Sequence, residues 1–198
     1  MKSLNMVMSG VGGQGIILAS DIFAEVALAA GYDTKKTDTL GMAQRGGSVV
    51  SHIRAGEKVY SPMIKNGQAD IMLGFEKLEA MRWVRFLNEE SIVIVNNYKI
   101  PPATVNTGKA TYPVDEEITG VLKGKTSHVI LVNGTEQAIS LGDIRVLNIF
   151  LLGCASVYLP FEVKLWMDVI HQRLPEKIVP INVDAFNNGR KEIDNGTF

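Results

Sequence analysis

The chain has 198 residues, 46% of them hydrophobic and 21% charged, which is the composition of a globular protein rather than a disordered or fibrous one. Its formal net charge of -1 provides no global basic field to recruit nucleic acid. The single cysteine, Cys154, excludes an internal disulfide and fits a cytoplasmic setting, and the most apolar stretch, Ile144–Tyr158, is shorter than the ~20 residues that span a bilayer and carries Arg145 and Asn148.

Leu4–Ser9 is an apolar run too short for the core of a signal peptide, and it is read as a strand. The glycine-rich stretch Gly10–Gly15 follows. Ile16, Ala19, Phe23, Val26 and Ala30 then recur at helical spacing up to Gly31, which ends the helix. Asp33–Thr37 is a second strand candidate, and the order strand, glycine loop, helix, strand predicts a parallel sheet. Thr39–Gly47 is predicted as a polar loop and Ser48–Arg54 as a strand, with Lys58–Tyr60, beyond the Gly56 turn, as its hairpin mate. Asp70–Phe75 is strand-like, and Glu76–Leu87 has helical periodicity with Leu78, Met81 and Val84 facing inward. Ser91–Val95 is a β-branched strand candidate, and Pro101 and Pro102 break the chain. Val114–Leu122 is a short amphipathic helix whose acidic Asp115-Glu116-Glu117 suits a helix N-terminus, and His128–Val132 is a buried strand. The last third reads as helical: Gly142–Leu159, then Phe161–Leu174 beyond Pro160, then Val183–Ile193 beyond Pro180. There is no internal repeat and no low-complexity segment, so residues 1–198 are expected to form one domain.

Two loops carry the chemistry. Gly10-Val11-Gly12-Gly13-Gln14-Gly15 matches G-x-G-x-x-G and stands between a strand and a helix, where small residues let the backbone turn tightly and a helix N-terminus approach a phosphate. It reads either as a phosphate or dinucleotide site or as a tight turn that packs the first helix on the sheet. An NAD(P) site calls for an acidic residue about 20 positions on, for which Asp33 and Asp38 are the candidates; Lys35 and Lys36 lie between them. The second loop is Gly41-Met42-Ala43-Gln44-Arg45-Gly46-Gly47-Ser48. The planar fork of Arg45 suits a phosphate or carboxylate and the glycines clear space for it; alone, the same residues read as a surface turn with a solvated arginine.

Taken together, these loops, with Val49–Arg54, Tyr60-Ser61-Pro62, Leu73-Gly74-Phe75-Glu76 and Leu78-Glu79-Ala80, resemble the gamma-type domain of the 2-oxoacid:ferredoxin oxidoreductases over Leu4–Glu116. Gly41–Gly47 and Leu73–Glu76 are most similar to the indolepyruvate subgroup, whose small subunit is called beta; the gamma subunits of the pyruvate, 2-oxoglutarate and ketoisovalerate enzymes are the alternative within the family. An NAD(P)- or nucleotide-binding Rossmann module is the alternative outside it. The resemblance implies an α/β, Rossmann-like fold, a mostly parallel sheet flanked by helices, with a helical C-terminal third. It also implies oxidative decarboxylation: thiamine diphosphate attacks the keto carbon, carbon dioxide leaves, electrons pass through iron–sulfur clusters to ferredoxin, and the acyl group ends on coenzyme A.

The residues assign most of that chemistry to another chain. An iron–sulfur cluster needs several cysteine thiolates, and this sequence has one, inside an apolar helix pattern with no basic neighbour to activate it. The Gly-Asp-Gly and Asn-Asn pair that holds the magnesium of thiamine diphosphate is not matched: Gly142-Asp143 is followed by Ile144, and Asn187-Asn188 is distant. His52, His128 and His171 lack zinc-ligand spacing. This chain is therefore expected to bind no cofactor alone, and the resemblance implies that it docks on a large subunit that carries thiamine diphosphate, magnesium and iron–sulfur clusters and serves ferredoxin. Gly10, Gly12, Gly13, Gln14, Gly15, Gln44, Arg45, Gly46, Gly47 and Ser48 are the residues expected to border coenzyme A or substrate. An exposed docking face leaves a homodimer of the isolated chain open.

Overall fold

The computed structural model describes residues 3–41 and 46–195. Its centre is a six-stranded sheet. The strands are β1 (Leu4–Val11), β2 (Asp33–Leu40), β3 (Ser48–Gly56), β4 (Ile71–Gly74), β5 (Ile92–Asn96) and β6 (Val129–Val132), arranged in the order β2-β3-β1-β4-β5-β6. β1, β4, β5 and β6 run parallel, whereas β3 runs against both of its neighbours, β1 and β2. The helices in chain order are α1 (Ile16–Ala29), α2 (Lys77–Arg82), α3 (Ala103–Asn106), α4 (Asp115–Lys123), α5 (Gly134–Ser140), α6 (Leu147–Ser156), α7 (Val163–Arg173) and α8 (Val179–Asn195).

The period of two along each strand splits the core. Met6, Met8, Ile71, Leu73 and Ile94 point to one face, covered by α1 and α5–α8; Val7, Val50, Met72, Val93 and Val95 point to the other, covered by α2 and α4. Burial on both faces is why β4 and β5 read as unbroken apolar runs rather than alternating ones. In the helical third, α6 is buried along its whole length and crosses α8 through two glycines. A Cβ on Gly153 would lie 2.1 Å from the Phe186 carbonyl oxygen, and one on Gly189 would lie 2.0 Å from that of Phe150, so the two backbones touch where only glycine fits. Trp166 of α7 packs against Phe23, Phe161 and Phe186, fixing α7 over α1.

The sheet is mostly parallel, as expected, and four local readings change. Lys58–Tyr60 is not a strand, because β3 already has β2 on one side and β1 on the other and offers no free edge. β2 runs on to Leu40, because it pairs residue by residue with β3 from Asp33 opposite Gly56 to Leu40 opposite Val49. The helix expected over Glu76–Leu87 stops at Arg82 and resumes as a 3-10 turn, Val84–Phe86. That tighter winding eclipses positions three apart, and Trp83 and Phe86 stack at 5.9 Å with Arg85 over both rings. α8 begins at Val179 rather than Val183; Pro180 sits in its first turn, where a missing N–H breaks no helical bond. Among the described residues, no helix is long and apolar enough to cross a membrane.

Candidate functional site

From β1 the chain passes through α1 to β2 on one side of the sheet and later fills β4, β5 and β6 on the other. The carboxyl end of β1 is therefore the topological switch point, the place where open α/β sheets hold ligands. Gly12–Gly15 forms the turn there. Gln14 braces it: its Oε1 accepts from the Val11 N–H at 2.8 Å and its Nε2 donates to the Phe75 carbonyl at 2.9 Å. The Gln14 amide thus faces the protein. The glycines have separate tasks. Gly10 leaves room for Phe75, whose Cβ would lie 2.7 Å from an added methyl, and Gly15, at φ 79°, leaves room for Asn148. Gly13, at φ 108°, faces open space. Helix α1 starts with no side-chain cap and no acidic residue in its first turn, so its leading N–H groups keep their partial positive charge.

The second loop closes over the first. Gly12 N–H donates to the Gly47 carbonyl at 2.8 Å, Gly46 N–H donates to the Gly12 carbonyl at 3.4 Å, and Gly41 N–H donates to the Ser48 carbonyl at 2.7 Å. Gly46, Gly47 and Ser48 thus join Gly10–Gly15 at one edge, while Gln44 and Arg45 lie outside the described residues. Between α1 and the β2–β3 connection lies a cleft of about 430 Å³, its floor formed by Gly12, Gly13 and Gly15 and its walls by Ile16, Ile17, Leu40 and Val49. Sequence reasoning missed those apolar walls and also Asn148 and Glu79. The available signals were two isoleucines directly after the last loop glycine, and a lone asparagine in an otherwise apolar helix.

The acidic candidates for a nicotinamide ribose are engaged elsewhere. The Asp33 carboxylate accepts from the Val59 N–H at 2.9 Å and pairs with Lys35, whose hydrogen bond holds its pKa below the usual carboxylate range. Asp38 accepts from Ser51 Oγ at 2.6 Å and pairs with Lys36. Moreover β3, not β2, lies beside β1, so β2 cannot present a carboxylate next to the glycine loop in the dinucleotide manner. Cys154 is fully buried and burial pushes its thiol far up, which makes it a core residue. His52 is a buried strand residue set edge-on to Phe86, and His171 is exposed; so is His128, expected within a buried strand but lying just before the edge strand β6, which is buried only at alternate positions. Asp115 lies in the first turn of α4, the helix N-terminus expected for it, but its carboxylate makes no capping hydrogen bond and pairs instead with Lys77 and Lys99.

This geometry is that of a Rossmann-like domain whose two candidate ribose carboxylates, Asp33 and Asp38, are engaged away from the glycine-lined cleft. The family model for pyruvate ferredoxin/flavodoxin oxidoreductase matches residues 5–192, and the chain belongs to that family. The indolepyruvate oxidoreductase subunit IorB of Archaeoglobus fulgidus is 40% identical over 195 residues, 98% of this chain and 96% of its own. The fold is shared with the gamma subunit of the keto/oxoacid ferredoxin oxidoreductase from Geobacter sulfurreducens, at a TM-score of 0.71, 22% identity and coverage of 98% and 99%. It also superposes, at a TM-score of 0.77 and 18% identity, on the 2-oxoglutarate:ferredoxin oxidoreductase of Magnetococcus marinus, solved with 2-oxoglutarate, coenzyme A and succinyl-CoA bound; there the match covers all of this chain but 32% of the longer one.

Proposed function

We propose that residues 1–198 act as one gamma-type domain whose glycine-lined cleft faces, across a subunit boundary, an active site whose cofactors belong to a larger partner. The chain is a small subunit of a 2-oxoacid:ferredoxin oxidoreductase, the class that decarboxylates a 2-oxoacid oxidatively, delivers the acyl group to coenzyme A and reduces ferredoxin. Indolepyruvate is the 2-oxoacid favoured, on the strength of the identity to IorB. The larger partner would hold thiamine diphosphate, magnesium and iron–sulfur clusters, which when bound there would supply the carbon nucleophile for decarboxylation and a route for electrons to ferredoxin. One buried cysteine cannot ligate such a cluster.

The observation that carries this reading is the Gly12–Gly47 hydrogen bond, which joins both glycine loops at the switch point. The cleft suits a phosphate ester with an apolar arm, as coenzyme A is: Gly13 leaves open space beside an uncapped helix start, and Ile17, Leu40 and Val49 offer an apolar wall. In this reading Gly10, Gly12, Gly13 and Gly15 shape the floor, Gln14 and Ser48 fix its two sides, and Arg45, beside Gly46 and Gly47, steadies an anionic group. Calorimetric titration tests it. The isolated chain is expected to ignore NADH and NADPH and to bind coenzyme A only once the large subunit is added. Tight nicotinamide binding, or full turnover by this chain alone, refutes it. Arg45→Ala is expected to raise KM for the anionic ligand by about tenfold, the worth of one charge-assisted hydrogen bond, and unchanged kinetics of the assembled complex would remove Arg45 from the site.

A further inference from the structure

We propose that Glu79 is a positioning residue, the fixed end of a clamp through which the segment Phe75–Glu79 sets the spacing of the two glycine loops. The inference rests on the site reading above for its kinetic consequence but not for its geometry. Glu79 is 3% exposed. A buried carboxylate is costly unless its lone pairs are filled, and here each oxygen has a donor. Its Oε2 accepts from Ser48 Oγ at 2.5 Å, and its Oε1 accepts from Arg82 Nη1 at 2.6 Å. The first of these bonds spans 31 residues and joins α2 to the first residue of β3, immediately after the Gly46-Gly47 pair that bonds Gly12.

Glu79 is itself held. Its backbone N–H donates to Glu76 Oε2 at 2.9 Å, and Glu76 is 1% exposed. The other Glu76 oxygen accepts from the Ile100 N–H at 3.1 Å and from the Tyr112 hydroxyl, which in turn accepts from the Leu78 N–H. At the opposite end of the segment, the Phe75 carbonyl accepts from Gln14 Nε2 and from Asn96 Nδ2 at 3.0 Å. One short stretch after β4 therefore grips the first loop through Phe75 and the second through Glu79. A helix propensity or a capping preference requires neither grip. Both bonds leave the segment for loops distant in sequence, and both end next to residues that line the cleft: Gln14 stands between Gly13 and Gly15, and Ser48 precedes Val49.

The test uses the oxidoreductase assembled with its large subunit and the variants Ser48→Ala, Ser48→Thr, Glu79→Gln and the double Ser48→Ala/Glu79→Gln. Amide hydrogen exchange is read at Gly12 and Gly41, whose N–H groups bond Gly47 and Ser48, alongside kcat and KM for coenzyme A and the 2-oxoacid. Ser48→Ala is expected to speed exchange at both amides by about tenfold, the value of a hydrogen bond to a charged group, and to raise KM more than it lowers kcat. Ser48→Thr keeps the hydroxyl and is expected to restore both readouts, and Glu79→Gln is expected to add little in the Ser48→Ala background. Unchanged exchange, failure of threonine to rescue, or fully additive effects overturn the clamp. Faster exchange with both KM values unchanged leaves the clamp standing and refutes the placement of the loops at the ligand site.

Discussion

Replacing Gly15 by alanine separates what the glycine loop does for the fold from what it does for a ligand. Gly15 sits at φ 79°, so alanine there carries a conformational penalty of about 1–2 kcal/mol. The new methyl would also lie 2.6 Å from Asn148 Nδ2 and 3.2 Å from its Cβ. Asn148 is 3% exposed in α6 and donates to the Gly15 carbonyl at 3.4 Å, so it cannot swing into solvent; overpacking of this kind adds about 1–3 kcal/mol. The total is about 2–5 kcal/mol, which for a chain of this size lowers Tm by roughly 4–20 °C. Gly13→Ala is the control. Its φ of 108° is also strained for alanine, but an added methyl meets nothing within 4 Å, so the fall should be near about 1–3 kcal/mol while the methyl intrudes on the cleft. Thermal melts followed by circular dichroism, with ligand KM measured in the complex, check both variants. A Gly15→Ala melt within about 2 °C of the parent, or equal losses at the two positions, would refute the steric argument.

Gly153→Ala and Gly189→Ala should each destabilise the chain by more than about 3 kcal/mol despite alanine's better helix propensity, since each methyl collides with a carbonyl of the opposite helix; a melt equal to or above the parent's would contradict the contact between α6 and α8. Because burial raises the Cys154 thiol far above its usual range, a thiolate-selective reagent at about pH 8 should leave the native protein unlabelled and modify it fully in denaturant; labelling of the native state at the rate of a free cysteine would be inconsistent with that burial. His52 is held below its ordinary pKa of 6.5, first by burial and then by Arg85. The unfolded chain therefore takes up a proton below pH 6.5 that the folded chain resists, so His52 contributes full stability above that pH and loses it as the pH falls, by at most about 1.4 kcal/mol per unit. His52→Phe should flatten the acid limb of stability against pH, measured by urea unfolding at several pH values; an unaltered slope would exclude His52 as its source.

Much of the architecture was legible because burial leaves a pattern. The apolar runs at Ile71–Leu73 and Val93–Val95 announce strands covered on both faces, and the helical spacing from Ile16 to Ala30 ends at the glycine it should. Direction and order leave no such pattern. A strand reads the same whichever way it runs, so the reversal of β3 and its insertion between β2 and β1 are invisible in the sequence, where Lys58–Tyr60 is simply the nearest downstream mate. The meeting of Gly12 with Gly46 and Gly47 follows from that strand order alone. Gln14 stands inside a ligand-binding motif, and only the fold shows that its amide completes the turn by bonding Val11 and Phe75. Glu79 fell within a matched stretch without a role, because its partner Ser48 becomes a neighbour only through the fold.

The strand beside β1 turns back instead of forward, so the wall of the cleft opposite α1 is a chain reversal rather than the end of a parallel strand. Its stem is set by the sheet, where Leu40 lies against Val49. The connection leaves that stem after Leu40 and returns to it at Ser48. Such a bridge can change length or side chains while every strand keeps its register, so one architecture can serve enzymes with different acids and partners through edits confined to a single bend. Exchanging residues 41–47 between related small subunits would test whether a preference for acid or partner follows this bend.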